Sequence, residues 1–243
     1  MSSPKGFIIY KGPSMLDGKP IIAIATLSSS NKKTGDMIQT WILPDNHAPT
    51  EMYHDAKLQA SVCGICPLQH SRKGGCYVNL GQAPRGIYVA YKKGSYDVLE
   101  PKHLKYFADR KLRMGSFGDP AAVPYETWLG LKSVCNGHTG YTHQAAHIAF
   151  DHRIASLCMI SVETPKQAAK YHAKGWSTFR VRTIGSGLLD NEIECLADAT
   201  DEQCIRCGIC AGKGKPNVVV TVHGSGKTSF TKQYAKTQII AIG

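Results

Sequence analysis

The chain lacks any apolar run long enough to cross a bilayer, so no membrane-spanning helix is expected in its 243 residues. Its opening stretch, MSSPKGFIIYKG, carries too short an apolar segment before Lys11 to act as a secretory leader. The expected location is therefore the cytoplasm, and no membrane partner is expected. Internal repeats and low-complexity linkers are also missing, which favours a single domain. Negative charge is scarce: 18 Asp and Glu stand against 29 Lys and Arg, a formal charge of +11. That excess suits a polyanionic partner, most simply nucleic acid, although a basic surface can also serve solubility alone.

What the chain does have is cysteine in two groups. Cys63, Cys66 and Cys76 fall in CGICPLQHSRKGGCY, and Cys195, Cys204, Cys207 and Cys210 form C-x8-C-x2-C-x2-C. In a reducing compartment such spacing favours metal ligation over disulfides, because a tight turn brings two thiolates onto one ion. The four-cysteine group saturates a tetrahedral zinc ion or holds an iron–sulfur cluster, and reads as a closed structural site. The three-cysteine group leaves one position open for substrate or water, unless His70 or a remote cysteine closes it. His70, Arg72 and Lys73 in its loop could hold an anion or simply offset thiolate charge.

The rest of the chain alternates between strand-like and helix-like stretches. Strands are expected at Phe7–Tyr10, Pro20–Leu27 and Met37–Leu43, the last two joined by a polar hairpin loop. A helix over Met52–Val62 would deliver Cys63. Further strands are expected at Gly86–Tyr91, Leu112–Phe117, Ser133–Cys135, Ala155–Val162, Ser177–Arg182, Asn217–Val222 and Gln238–Ile242. Helices are expected at Glu100–Lys111, Pro124–Leu131, Gln144–Asp151 and Thr164–Lys174, the last with Thr164 as cap and Pro165 in its first turn. This order predicts an α/β fold: a full or partial TIM-like barrel with an N-terminal β-hairpin and a cysteine-rich metal-binding insertion. One domain would comprise a hairpin region (1–50), the first cysteine motif (51–85), βα repeats (86–183), the knuckle (190–215) and the final strands (216–243).

In parallel α/β folds chemistry collects at the C-terminal strand ends. Gly118 and Asp119, His143, Glu163 and Arg180 fall there, and together would make an acid–base or anion-binding site. His223-Gly-Ser-Gly-Lys-Thr228 follows an apolar strand, but Thr221 stands where a P-loop needs its first glycine. Only a glycine-rich anion contact is left to it. The histidines of His147–His152 read as a helix face.

Several segments together resemble an uncharacterised family of tailed-bacteriophage proteins. They are Asn31–Asp36, Thr40-Trp41, residues 63–77, Arg113–Pro120, Gly140–Gln144, Gly175–Arg180 and the knuckle from Cys195. The resemblance implies phage origin and a host-cytoplasmic location, with no assigned activity. More distantly, Cys76-Tyr77 after two earlier cysteines is similar to radical S-adenosylmethionine enzymes, which bind a cluster through three cysteines early in a partial barrel. The spacing departs from theirs, C-x2-C-x9-C in place of C-x3-C-x2-C. That likeness implies an iron–sulfur cluster and S-adenosylmethionine as cofactors, with Gly118 and Asp119 at the cofactor. Two functions follow as expectations: an iron–sulfur enzyme acting on nucleic acid or a nucleotide-like anion, or a zinc-stabilised nucleic-acid-binding protein.

Overall fold

The computed structural model describes residues 3–237, so the strand expected at Gln238–Ile242 lies outside the described residues. The chain opens with an antiparallel meander of β1 (Gly6–Pro13), β2 (Pro20–Thr26) and β3 (Ile38–Pro44). Residues Ile21 to Ala25 of β2 are wholly buried, which explains an unbroken apolar run where a half-exposed strand would alternate.

Next comes α1 (Ala56–Cys63), capped by the Asp55 carboxylate, which accepts from the Lys57 and Leu58 amides. The stretch read as a strand from Gly86 to Tyr91 is instead part of α2 (Ala83–Lys92). Its aromatic and β-branched residues suggested a strand. Pro84 in the first turn and an apolar face at helical spacing, Pro84, Ile87, Tyr88 and Tyr91, decide for the helix. A two-residue strand, β4 (Asp97–Val98), pairs with β1. The helix expected from Glu100 shrinks to a 3-10 segment, Pro101–Tyr106, before Asp109 turns the chain at φ +58°.

From β3 onward the sheet is parallel. β5 (Leu112–Phe117) leads to α3 (Tyr125–Lys132), then to β6 (His138–Thr142) and β7 (Met159–Val162). α4 (Pro165–His172) returns the chain to β8 (Thr178–Arg182) and β9 (Glu192–Glu194). Two single turns, α5 (Leu196–Ala199) and α6 (Cys204–Cys207), precede β10 (Asn217–Thr221) and α7 (Lys227–Tyr234). All the strands join one ten-stranded sheet in the order β4-β1-β2-β3-β5-β6-β7-β8-β10-β9. Among the described residues the order is open, with β4 and β9 as its edges. Six parallel strands, β3, β5, β6, β7, β8 and β10, lie side by side in chain order.

The least anticipated strand is β6. Its sequence HTGYT reads as a loop, and the strand expected at Ser133–Cys135 is only the turn after α3. Polar side chains are tolerated inside this sheet because they find partners there. His138 Nε2 lies 3.0 Å from the Leu157 carbonyl, and the Thr142 hydroxyl donates to Asp119 at 2.7 Å. The helix expected over Gln144–Asp151 is a run of turns, so His147 and His152 share no helical face.

Candidate metal centres

Both cysteine groups open onto one cavity of about 280 Å³. One face of successive parallel strands builds its wall: Arg113, Gly115 and Phe117 of β5, Tyr141 of β6, Ser161 of β7, Phe179 and Val181 of β8, and Val220 of β10. Cys63, Cys66 and Cys76 line one part, Cys195 and Cys204 another, and Gly118, Asp119 and His143 stand among them.

Cys63 is the last residue of α1, and the Cys66 amide bonds back to its carbonyl at 3.0 Å. The turn between them depends on Gly64 at φ +51°. Gln144 clamps this turn from the β6 side. Its Oε1 accepts from the Ile65 amide at 2.9 Å, while its Nε2 donates to the Cys63 carbonyl at 2.9 Å and to Asp119 at 3.0 Å. A Cβ on Gly64 would lie 2.0 Å from Gln144 Oε1. Gly64→Ala should therefore cost about 2–3 kcal/mol, from the strained φ plus the lost clamp, and should empty the first metal centre. Chemical denaturation and metal content check this, and wild-type values for both would refute the clamp.

Asp119 is the hub of this corner rather than a free acid. Its carboxylate accepts from the Ala121 amide, the Thr142 hydroxyl, the His143 amide and Gln144 Nε2 at 2.7–3.0 Å. All its strong acceptor directions are taken by these donors. Its amide also donates to the Val62 carbonyl at 2.7 Å, which ties β5 to α1.

His143 stands between a thiol and a buried carboxylate. Its Nδ1 is 3.4 Å from Cys66 Sγ, and its Nε2 is 2.6 Å from Glu163 Oε1. Burial opposes the imidazolium, but Cys66 and Glu163 outweigh it and hold the His143 pKa well above its ordinary value. Tyr234 of α7 lies near this corner, its phenol pushed up by burial and by Glu163 and Cys66. Gly226, before α7, packs so closely on the first cysteine loop that a Cβ there would meet the Gly75 carbonyl at 2.1 Å. Backbone contact thus accounts for this glycine of the P-loop-like stretch, while His223 reaches the cavity.

His70 and Arg180 lie elsewhere. His70 Nε2 is 2.7 Å from the Val78 carbonyl and its ring meets Tyr53 edge-on at 4.9 Å, so it anchors its loop. Arg180 is on the face of β8 opposite Phe179 and Val181, fully buried against Glu192. Two hydrogen bonds, at 2.7 and 2.5 Å, make that pair bidentate. The grouping of Asp119, His143, Glu163 and Arg180 therefore divides, with only the first three together.

The second group hangs on three elements. The Cys195 amide bonds the Val219 carbonyl of β10, the Gly140 amide of β6 bonds the Cys210 carbonyl, and the Cys204 amide bonds the Lys33 carbonyl, all at 2.8–3.0 Å. Burial pushes the Cys210 thiol up to about 12 despite a hydrogen bond from Tyr141, and the other three cysteines of the group add to the rise. In the first group burial pushes Cys76 up to about 11, and Cys63 rises through burial, Cys66, Cys76 and Asp119. Burial and neighbouring thiols thus hold Cys63, Cys76 and Cys210 as neutral thiols, and a bound cation would favour their ionisation.

Among the described residues, no three His, Cys, Asp or Glu side chains converge closely enough to hold a single ion. Comparison with family models, with curated proteins and with solved structures returned no match. The site's own geometry therefore carries the functional reading. Spacing gave no sign of Gln144, Arg113 or Tyr141, since their value lies in the strand faces and loops that bring them to the cysteines.

Proposed function

We propose that this chain is an iron–sulfur enzyme, with one cluster on Cys63, Cys66 and Cys76 and a second on Cys195, Cys204, Cys207 and Cys210. The observation that carries this reading is that two cysteine groups, far apart in sequence, face a single cavity. The six parallel strands in chain order, with cavity-lining residues along one face, fit a partial barrel. The first cysteine loop follows the first of those strands and Gly118-Asp119 follows the second, the order that the likeness to radical S-adenosylmethionine enzymes implies. When bound, such clusters supply one-electron chemistry.

The chain's own residues then have separate tasks. Gln144 and Asp119 fix the Cys63–Cys66 turn, Glu163 orients His143, and His143 holds a proton at the cavity beside Cys66. The substrate class we propose is nucleic acid or a nucleotide-like anion, in keeping with the +11 charge and the aromatic wall. Asp119 does not fit a role in gripping the amino group of S-adenosylmethionine, because four donors already occupy its carboxylate. The phage resemblance would place the protein in the host cytoplasm.

One distance favours a second reading. Two ligands on one zinc ion, a thiolate and an imidazole, stand about 3.6 Å apart, and Cys66 and His143 are 3.4 Å apart. Cys63 and Cys76 would have to draw in beside this pair for Cys63, Cys66, Cys76 and His143 to close a zinc site, with Glu163 behind the histidine. The protein would be a zinc-stabilised nucleic-acid binder.

Two variants separate the readings. Under the iron–sulfur reading His143→Ala keeps the metal of the first centre and Cys76→Ser loses it. Under the zinc reading both lose it. His70→Ala should keep its metal in either case, since His70 is engaged with Val78. Loss of metal with His143 would replace the enzyme reading by the structural one.

A further inference from the structure

Among the described residues, one cation in the cavity wall has no carboxylate of its own. Arg113 of β5 faces the cavity, its guanidinium 5.2 Å from the centre of the Tyr141 ring and its Nη2 3.4 Å from the Tyr77 hydroxyl. Among the described residues no carboxylate pairs with it. The two strand arginines on β8 differ: Arg180 pairs with Glu192 and Arg182 with Glu194. Arg110, Arg153 and Arg206 also have carboxylate partners. A half-buried guanidinium held between two tyrosines, with the Cys204 thiol nearby, is under-used, because its fork matches two oxygens of one anion. Tyr77 beside it lines the cavity and is 54% exposed, with the His223 ring tilted against it at 6.0 Å. A half-buried fork next to an exposed aromatic ring is the pairing that a phosphate joined to a planar base would satisfy.

We propose that Arg113 is the anion-recognition residue of this cavity and grips the phosphate of a nucleotide whose base lies against Tyr77. This rests on the cavity being the active site of the proposed enzyme, and names the group that selects its substrate. Asn31 and Lys33 line the same cavity, and Lys33 adds positive charge although it is shared with Asp198 at 2.6 Å. The competing role for Arg113 is to offset the charge of Cys204, which lies near enough for the guanidinium to favour its thiolate.

The test is calorimetric titration of the protein as isolated, with its metal content measured alongside. The probes are the four common nucleoside 5′-monophosphates and the four matching nucleosides. At least one monophosphate should bind about tenfold or more tightly than its nucleoside, the gain typical of a charge-assisted contact. Arg113→Gln should erase that gap while leaving iron content and absorption spectrum unchanged. Arg113→Lys, which keeps the charge but not the fork, should recover part of it. Tyr77→Ala should weaken monophosphate and nucleoside equally. No phosphate preference in the wild-type protein, or the same preference in Arg113→Gln, would overturn the proposal. So would loss of iron in Arg113→Gln, which assigns the arginine to Cys204. A wild-type protein without iron but with an Arg113-dependent phosphate preference would sink the cluster reading alone.

Discussion

Replacing Cys207 with Ser should lower the metal content, the melting temperature and the solubility of the protein together. Cys207 ends the single turn α6, in a segment with little core of its own: α5 and α6 are four residues each. The backbone bonds from Cys195, Cys204 and Cys210 to the sheet and the β2–β3 loop give this segment its place. Four thiolates close around the metal should supply the rest, and structural thiolate sites contribute on the order of 10 kcal/mol to folding. Losing one ligand of four should cost several kcal/mol of that and expose the centre to chelators. Metal per chain and a thermal melt are the two readouts. A variant with its full complement of metal and an unchanged melt would show that the segment is not a closed metal site.

The second large effect is at Arg180. Its side chain and that of Glu192 are both 0% exposed, so Arg180→Ala strands a carboxylate in the interior. Breaking a buried ion pair from one side costs about 3–5 kcal/mol. The double variant Arg180→Met, Glu192→Leu should be much milder, since it removes both charges and keeps the volume. Denaturant unfolding of the three proteins gives the comparison. If Arg180→Ala unfolded like the wild type and lost only ligand binding, the arginine would belong to the site after all.

These two residues show where the sequence was readable. The cysteine groups are legible because ligand spacing is local, and β2, β5, α4 and β10 are legible because their apolar pattern or caps are local too. The pairing of the two groups around one cavity is not, since it depends on the sheet that separates residue 76 from residue 195. The choice between arginines fails for a finer reason. Arg113 and Arg180 both lie on parallel strands, and successive side chains point to opposite faces. Arg113 shares a face with Phe117 toward the cavity, whereas Arg180 alternates with Phe179 and Val181 and points away. Nothing in either strand's composition says which face is concave. β6 was hidden by chemistry: His138, Thr139 and Thr142 are polar yet buried. Gln144 was hidden because a glutamine that clamps a turn some eighty positions away has no local signature.

We propose that seven cysteines hold two iron–sulfur clusters at one cavity. The most direct test is anaerobic purification of the full chain, with iron, acid-labile sulfide and zinc counted per chain and the absorption spectrum recorded. The expected result is a brown protein containing iron and sulfide in comparable amounts, with Cys76→Ser and Cys207→Ser each removing part of both. A colourless protein that carries zinc, or no metal at all, would contradict it.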